Sequence, residues 1–286
     1  MPFSLENVSY SYRSFNGDLI PALNDISFTI RDGEFAGIMG HTGCGKTTLI
    51  QSMAGLLVPS SGKVLLDGKD INAKDYDRAV LRRNLSLVFQ FPEYQLFEST
   101  VEMDLAFALK HSGLPGDEVK ARVKWALEIM GFSYEKVRSL SPLSLSGGEK
   151  RRIAIAGALV TKPRFLIFDE PITGLDPLSC QLFLSTVTQL NSEGTTIIMI
   201  SHNADVLGEY ASRILVLDKS FLVMDGAVEE VFSDVETLRS LHLNAGTPRI
   251  ICEMLSRRGI AIPAKTTSYS ALLGALTSQL KGMGSK

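Results

Sequence analysis

The run Gly40-His-Thr-Gly-Cys-Gly45-Lys46-Thr47 constrains the fold more than any other segment, because it places two glycines four residues apart ahead of Lys and Thr. Such a loop needs a buried strand leading in and a helix leading out. The flanks agree: Glu34 to Met39 reads as a buried strand, and Thr47 to Leu57 as a helix with Leu49, Ile50, Met53 and Leu57 at helical spacing. The glycines let successive backbone N–H groups turn inward on phosphates, and the helix adds the positive end of its dipole. Lys46 supplies a cation for the β/γ oxygens of a nucleotide, and the Thr47 hydroxyl suits Mg²⁺. The whole stretch, with His41, Thr42, Gly43, Cys44 and Thr48, is the candidate cradle.

Downstream, the apolar run from Arg164 to Phe168 ends in Asp169 and Glu170. Strand ends of this kind border the binding crevice of a parallel α/β sheet. Two acids at a strand end are ordinarily solvated or salt-bridged, and their meaning here comes from following a phosphate loop. Asp169 suits Mg²⁺ or its water shell, while Glu170 suits a residue that orients and polarises an attacking water. Between the loop and the acids lies Leu145-Ser-Gly-Gly-Glu149, opening a helical pattern through Arg151, Ile153, Ala156 and Leu159. Ser146 can cap that helix, and Gly147 and Gly148 leave its N–H groups approachable by an anion. His202 follows a strand from Thr195 to Ile200, where a neutral imidazole could hydrogen-bond a γ-phosphate or the attacking water.

In this order the motifs resemble those of ABC transporter nucleotide-binding subunits. Phe89-Gln90 is similar to that family's Q-loop, Leu145 to Glu149 to its signature, Gly174-Leu-Asp176 to its D-loop and Ile200-Ser-His202 to its switch histidine. The resemblance implies ATP and Mg²⁺ as cofactors, and a P-loop fold of ABC type with a parallel-sheet core, an antiparallel β subdomain, a helical subdomain inserted at about 92–146 and a small helical C-terminal extension. It implies an ATPase domain over 1–240 and the extension over 241–286. It also implies two subunits head to tail, with Lys46 of one and Ser146, Gly147, Gly148 and Glu149 of the other on the same ATP. Tyr12 stands at the position of the aromatic that stacks on adenine, with Tyr10 a competing candidate. Gln90 is implied as a Mg²⁺ ligand and mechanical link.

Phe89-Gln-Phe-Pro-Glu-Tyr-Gln-Leu-Phe97 and the stretch from Leu145 to Ala156 most resemble ATP-binding subunits of energy-coupling factor transporters, importers of vitamins and transition-metal ions. That group implies a second ATPase subunit, the same or different, a membrane scaffold and an exchangeable substrate-binding membrane protein. It also implies a peripheral location on the cytoplasmic face of the membrane. Phe91, Tyr94 and Phe97 lie where the scaffold would dock; packing of those rings within the domain is the alternative. Ile172-Thr-Gly174 departs from the commoner Thr-Ala-Gly, and Cys44 and Thr48 replace frequent serines, but no phosphate contact or metal ligand is lost. Two other classes stay open, a soluble ABC ATPase such as one serving iron–sulfur assembly, and a non-hydrolysing nucleotide sensor, the latter weakened by Glu170 and His202.

A net charge of about −2 offers no broad basic field, so nucleic acid is not an expected partner. No span approaches the roughly 20 apolar residues of a membrane helix, and the first residues lack a signal-peptide pattern, so a cytoplasmic chain with reduced thiols is expected. Cys44 has two readings: a tolerated small residue, or a thiol activated by Lys46 and the helix N-terminus. Phe3 to Tyr12, Asp25 to Arg31 and Gly62 to Gly68 read as strands. Two stripes, Val101/Leu105/Ala108/Leu109 and Val119/Val123/Leu127/Met130, read as helices stopped by Gly113 and Gly131. In the tail, Thr247-Pro248 starts a helix bearing Ile250, Ile251, Met254 and Leu255 as far as Gly259, and Tyr269, Leu272, Leu273, Leu276 and Leu280 form another stripe. These cover the chain's own core or help two subunits associate; the last five residues are expected to fray.

Overall fold

The computed structural model describes residues 2–260, 262–263 and 266–283, with side chains described as far as residue 279. The chain opens with a hairpin of β1 (Phe3–Arg13) and β2 (Leu19–Ile30), then β3 (Phe35–Met39) leads through the glycine-rich loop into α1 (Lys46–Met53). Next come β4 (Ser61–Leu66), β5 (Lys69–Asp70), α2 (Arg78–Asn84) and β6 (Leu85–Val88). A helical stretch follows, with α3 (Val101–Phe107), α4 (Gly116–Ile129), α5 (Tyr134–Val137) and α6 (Gly147–Leu159). Strands and helices then alternate as β7 (Phe165–Asp169), α7 (Pro177–Ser192), β8 (Thr196–Ile200), α8 (Ala204–Tyr210), β9 (Arg213–Asp218) and β10 (Phe221–Ala227). The last helices are α9 (Val228–Ser233), α10 (Val235–Ser240), α11 (Thr247–Arg257) and α12 (Tyr269–Met283).

These strands form an antiparallel sheet in the order β2-β1-β4-β5 and a six-stranded sheet in the order β10-β9-β3-β8-β7-β6, parallel except for the β9–β10 edge. Every residue of β3, β7 and β8 is buried, as strands covered on both faces must be. The two-residue side-chain period divides them between two cores. Phe165, Ile167, Ile198 and Ile200 join Phe3, Leu5 and Ile26 of the antiparallel sheet and Leu49 and Ile50 of α1. Leu166, Phe168, Ile197 and Met199 face the other way, onto Phe183, Ile155, Val123 and Leu127. Each such side chain contributes about 1.5–3 kcal/mol by leaving water. The inserted helices therefore share a core with the sheet, although the sequence marks them as a separate subdomain.

Three expectations are corrected. Helix α1 stops at Met53 and does not reach Leu57, because Gly55 turns left-handed at φ +68 and ends it. Strand β2 starts six residues before Asp25, which itself sits at φ +54 within an irregular register. Ala108 leaves the first helical stripe: α3 ends at Phe107 and Ala108 faces solvent, while Val101, Leu105 and Leu109 are buried.

The C-terminal helices pack onto α8. Asp205 accepts from the Thr247 backbone N–H at 2.5 Å, its hydroxyl at 2.9 Å and the Tyr269 hydroxyl at 2.9 Å, and Glu209 accepts from the Tyr269 N–H at 2.8 Å. Leu272 and Cys252 are buried, whereas Ile250, Met254, Tyr269 and Leu273 are exposed. Each stripe is thus partly covered by the chain itself. The Leu280 side chain and residues 284–286, where fraying was expected, lie outside the described residues.

Candidate functional site

The glycine-rich loop crosses the C-terminal edge of the parallel sheet between β3 and α1. Gly45 has φ +110, and a Cβ there would come within 2.2 Å of the Ala22 carbonyl. Gly40, at φ +151, would meet the Leu217 carbonyl at 2.4 Å. Both positions exclude a side chain, so the loop is held tight against β2 and β9. Helix α1 has no side-chain cap, which leaves its first N–H groups for an anion.

The pocket over this loop is lined by Tyr12, Gly40, Thr42, Gly43, Gly45, Lys46, Thr47, Thr48, Gln90, Asp169, Glu170 and His202, so residues from both motifs and both strand ends meet there. Lys46 Nζ donates to the carbonyls of Gly40 at 2.6 Å and His41 at 2.8 Å. The Thr47 hydroxyl donates to Asp169 Oδ2 at 3.2 Å. Asp169 is buried, and desolvation pushes its carboxyl above the usual range despite the Thr47 bond. Thr47 and Asp169 present hard oxygen donors, a set that fits Mg²⁺. Tyr12 is partly exposed and its hydroxyl shares a 3.1 Å hydrogen bond with Thr48. Tyr10 instead packs against the sheet core and meets Tyr12 edge-on, with centroids 5.0 Å apart, which leaves Tyr12 facing the pocket.

Glu170 occupies a left-handed backbone conformation, φ +50, with its N–H donating to the Ile200 carbonyl at 3.0 Å. A non-glycine residue held there marks a geometry maintained by its surroundings. Its Oε2 lies 2.8 Å from His202 Nδ1. With an ionised Glu170 that ring nitrogen carries the proton, so a neutral His202 has only an acceptor lone pair at Nε2. In that tautomer Nε2 can accept a hydrogen bond from an attacking water, whereas a bond to a phosphate oxygen needs a proton on Nε2 or Nδ1 turned away from Glu170.

Two loop side chains turn elsewhere. His41 lies 2.7 Å from Asp218 Oδ1 through Nε2, and 2.8 Å from the Thr42 carbonyl through Nδ1. Cys44 is fully buried, and burial pushes its thiol up despite Lys46. The activated-thiol reading of Cys44 is therefore corrected to a buried small residue. Nor do Ser146, Gly147, Gly148 and Glu149 reach the pocket. Ser146 caps α6 in a reciprocal box: its hydroxyl accepts from the Glu149 N–H at 3.4 Å and lies 2.7 Å from Glu149 Oε2, which also accepts the Ser146 N–H at 2.9 Å. These bonds hold the Glu149 carboxyl below its ordinary value. Thr173, noted in the sequence only as part of a departure at Ile172-Thr-Gly174, and the β2 residues Ile20, Pro21 and Ala22 also line the pocket; the place of Thr173 between Glu170 and Gly174 was a usable signal.

Fold and pocket together define a P-loop nucleotide hydrolase of ABC type. A family model described as ABC transporter matches residues 23–173. The energy-coupling factor transporter ATP-binding protein EcfA2 of Caldanaerobacter subterraneus is 44% identical over 264 residues, 92% of each chain. Its counterpart from Clostridium tetani is 41% identical over 263 residues, 92% of this chain and 91% of the relative. Among solved structures, cbiO1 from Clostridium perfringens, described as part of the ABC transporter complex cbiONQ, has a TM-score of 0.71 at 37% identity, covering 88% of this chain and 98% of that one. The ATP-binding cassette MJ0796, in a dimeric post-hydrolysis state bound to ADP and Pi, has a TM-score of 0.70 at 28% identity over 79% and 98% of the two chains. The chain belongs to the ABC transporter family, among the energy-coupling factor transporter ATP-binding proteins, and is an ATPase.

Proposed function

We propose that this chain binds and hydrolyses ATP as one of two ATPase subunits powering an importer of vitamins or transition-metal ions. The observation that carries the proposal is an asymmetry. Lys46, Thr47, Asp169, Glu170 and His202 converge on one pocket, while the anion-ready start of α6 at Ser146 lies outside it. A head-to-tail pair supplies what each pocket lacks, Ser146 of one subunit meeting the γ-phosphate held by Lys46 of the other.

Within the pocket, Tyr12 offers a ring face to adenine and the loop N–H groups take the phosphates. Lys46 exchanges its two loop carbonyls for phosphate oxygens. Thr47, Asp169 and Gln90 would hold Mg²⁺, which neutralises charge on the phosphates when bound. Glu170 holds the attacking water by accepting its hydrogen bond, with His202 steadying the carboxylate from Nδ1. The water oxygen bonds to the γ-phosphorus as the bond from that phosphorus to the ADP oxygen breaks, the water proton passes by way of Glu170 to the phosphate product, ADP and inorganic phosphate leave, and the lost γ-phosphate contact frees Ser146 to open the pair.

Membrane coupling is assigned to the Phe91–Phe97 stretch. Phe91, Tyr94 and Phe97 are exposed beside the pocket-lining Gln90, the placement expected for rings that a membrane scaffold buries on docking. The ATPase then sits on the cytoplasmic face, the substrate being chosen by a separate membrane subunit. Among the described residues no helix is long and apolar enough to cross a membrane. The test is purification of tagged protein from native membranes in mild detergent, followed by mass spectrometry. A polytopic scaffold and a small integral-membrane binding protein are expected; recovery with soluble partners alone overturns the importer reading.

A further inference from the structure

Arg151 stands five residues beyond Ser146 on α6, roughly 7.5 Å along the helix axis. It is only 4% exposed. Its Nη1 donates to the Thr173 carbonyl and its Nη2 to the Gln90 carbonyl. Both acceptors belong to residues that line the nucleotide pocket. Glu93 Oε2 stands 3.9 Å from its Nε, and the Phe91 ring centroid 5.8 Å from the guanidinium carbon. One side chain, carried on the helix that Ser146 starts, thus touches two loops of the pocket and the exposed aromatic stretch. Gly174 closes over it, since a Cβ there would lie 3.3 Å from Nη1.

Burying the charge here is unfavourable for stability. Arg151 Nε and Glu93 Oε2 are buried without hydrogen-bond partners, and burial pulls the guanidinium below its usual basicity. An apolar side chain would leave the Thr173 and Gln90 carbonyls without these donors, so the position calls for hydrogen bonds to both loops rather than for a buried charge. What the guanidinium uniquely offers is a planar fork with two donors set for two acceptors at once. Neither Lys nor Gln reproduces it.

We propose that Arg151 is a positioning residue that ties Gln90 and Thr173 of a subunit's own pocket to the Ser146 helix serving the opposite pocket. The inference rests on the head-to-tail reading above. Displacement of the Phe91–Phe97 stretch by a docking partner carries Gln90 and Glu93 with it, and the guanidinium transmits that shift to α6. In reverse, ATP engaged at Ser146 sets Gln90 in the neighbouring site. Each pocket thereby senses the other through one fork of hydrogen bonds.

The test compares R151K and R151Q with wild type and E170Q in the detergent-purified complex. Fluorescent ATP-analogue binding and the KM for ATP should stay within about twofold of wild type, while kcat falls about tenfold in both Arg151 variants, a size typical of coupling between sites. Failure of R151K to restore turnover is the decisive readout, because a site needing only a buried cation would accept Lys. Wild-type turnover per folded molecule in R151K, with folded fraction measured by melting, overturns the tie and leaves the ATPase standing. A wild-type complex without turnover, or one in which E170Q is equally active, overturns the ATPase reading and the tie together.

Discussion

The pocket on the sheet and the Ser146 end of α6 both present helix N-termini to phosphate, but they are built in opposite ways. Around Lys46 the backbone is locked: Gly40 and Gly45 admit no Cβ, Asp169 is desolvated and Glu170 is held in a left-handed conformation. Around Ser146 the start of α6 is exposed, and its polar groups are satisfied locally by Glu149. The first is organised in advance for chemistry. The second is a self-contained cap outside the pocket, and on the proposed head-to-tail reading it meets nucleotide only when offered to another molecule. On the proposed reading, the preorganised end is the one where the γ-phosphate bond is broken.

The sharpest way to break this comparison is E170Q. It preserves the shape of the pocket and the contact with His202 while removing the carboxylate that holds the water. ATP hydrolysis should fall about 10²- to 10⁴-fold, the range for loss of a positioned general base, with ATP affinity unchanged. Steady-state phosphate release measures it, and undiminished release removes Glu170 from the chemistry.

A second test lies in the inserted helices. Tyr134 is buried and donates to Glu102, and burial with that bond pushes its phenol up to about 12. The unfolded phenol titrates near 10, so from about pH 10 to about 12 the unfolded state ionises first. Stability from this group is complete below that window and is lost as pH rises through it, on the order of 1–2 kcal/mol. Denaturant melts of Y134F should show a shallower alkaline decline than wild type; equal slopes would mean that Tyr134 ionises freely in the fold. Because these helices share the sheet's core, the decline should appear in the global transition.

S146A separates cap from ligand contact. Loss of the N-cap costs about 1 kcal/mol, read in a melt of the isolated chain, while ATP binding to that chain stays at wild-type strength because Ser146 is outside its pocket. Turnover of the assembled pair should drop. Weakened binding in the isolated chain would place Ser146 in its own site and erase the asymmetry.

The pattern of success in the sequence follows the physics of range. The positions of Lys46, Thr47 and Asp169 around one pocket and of Ser146 at a helix cap were legible because backbone geometry ties them to short spacings beside buried strands or helix starts. The end of α1 was not, since Gly55 outvoted the apolar spacing of Leu57. Arg151 carries no local mark that separates it from a charge on a solvated helix face, and its acceptors lie 61 and 22 residues away. The bond between His41 and Asp218 spans 177 residues, and the clasp of Tyr269 on Asp205 spans 64. Such contacts exist only once the topology has been set.

The smallest expected effect goes to the root of the comparison. Asp169 is pushed above the ordinary carboxylate range chiefly by burial, so between pH about 3.9 and its raised value the folded chain binds the extra proton and stability falls as pH rises. At neutral pH the ionised Asp169 therefore costs the nucleotide-free chain stability. D169N keeps an oxygen for the Thr47 hydroxyl and removes the charge, and should raise the stability of the free chain by roughly 0.5–1 kcal/mol, as substitutions at strained functional positions commonly do. The gain should vanish below pH about 4. Adding Mg²⁺ and ATP should stabilise wild type more than the variant, which keeps the loop, Lys46 and Tyr12 but lacks the carboxylate for the metal, and so should reverse the order. Matched melts with and without nucleotide decide it, and a destabilised D169N at pH 7 would show that the buried carboxylate is there for the fold rather than for the metal.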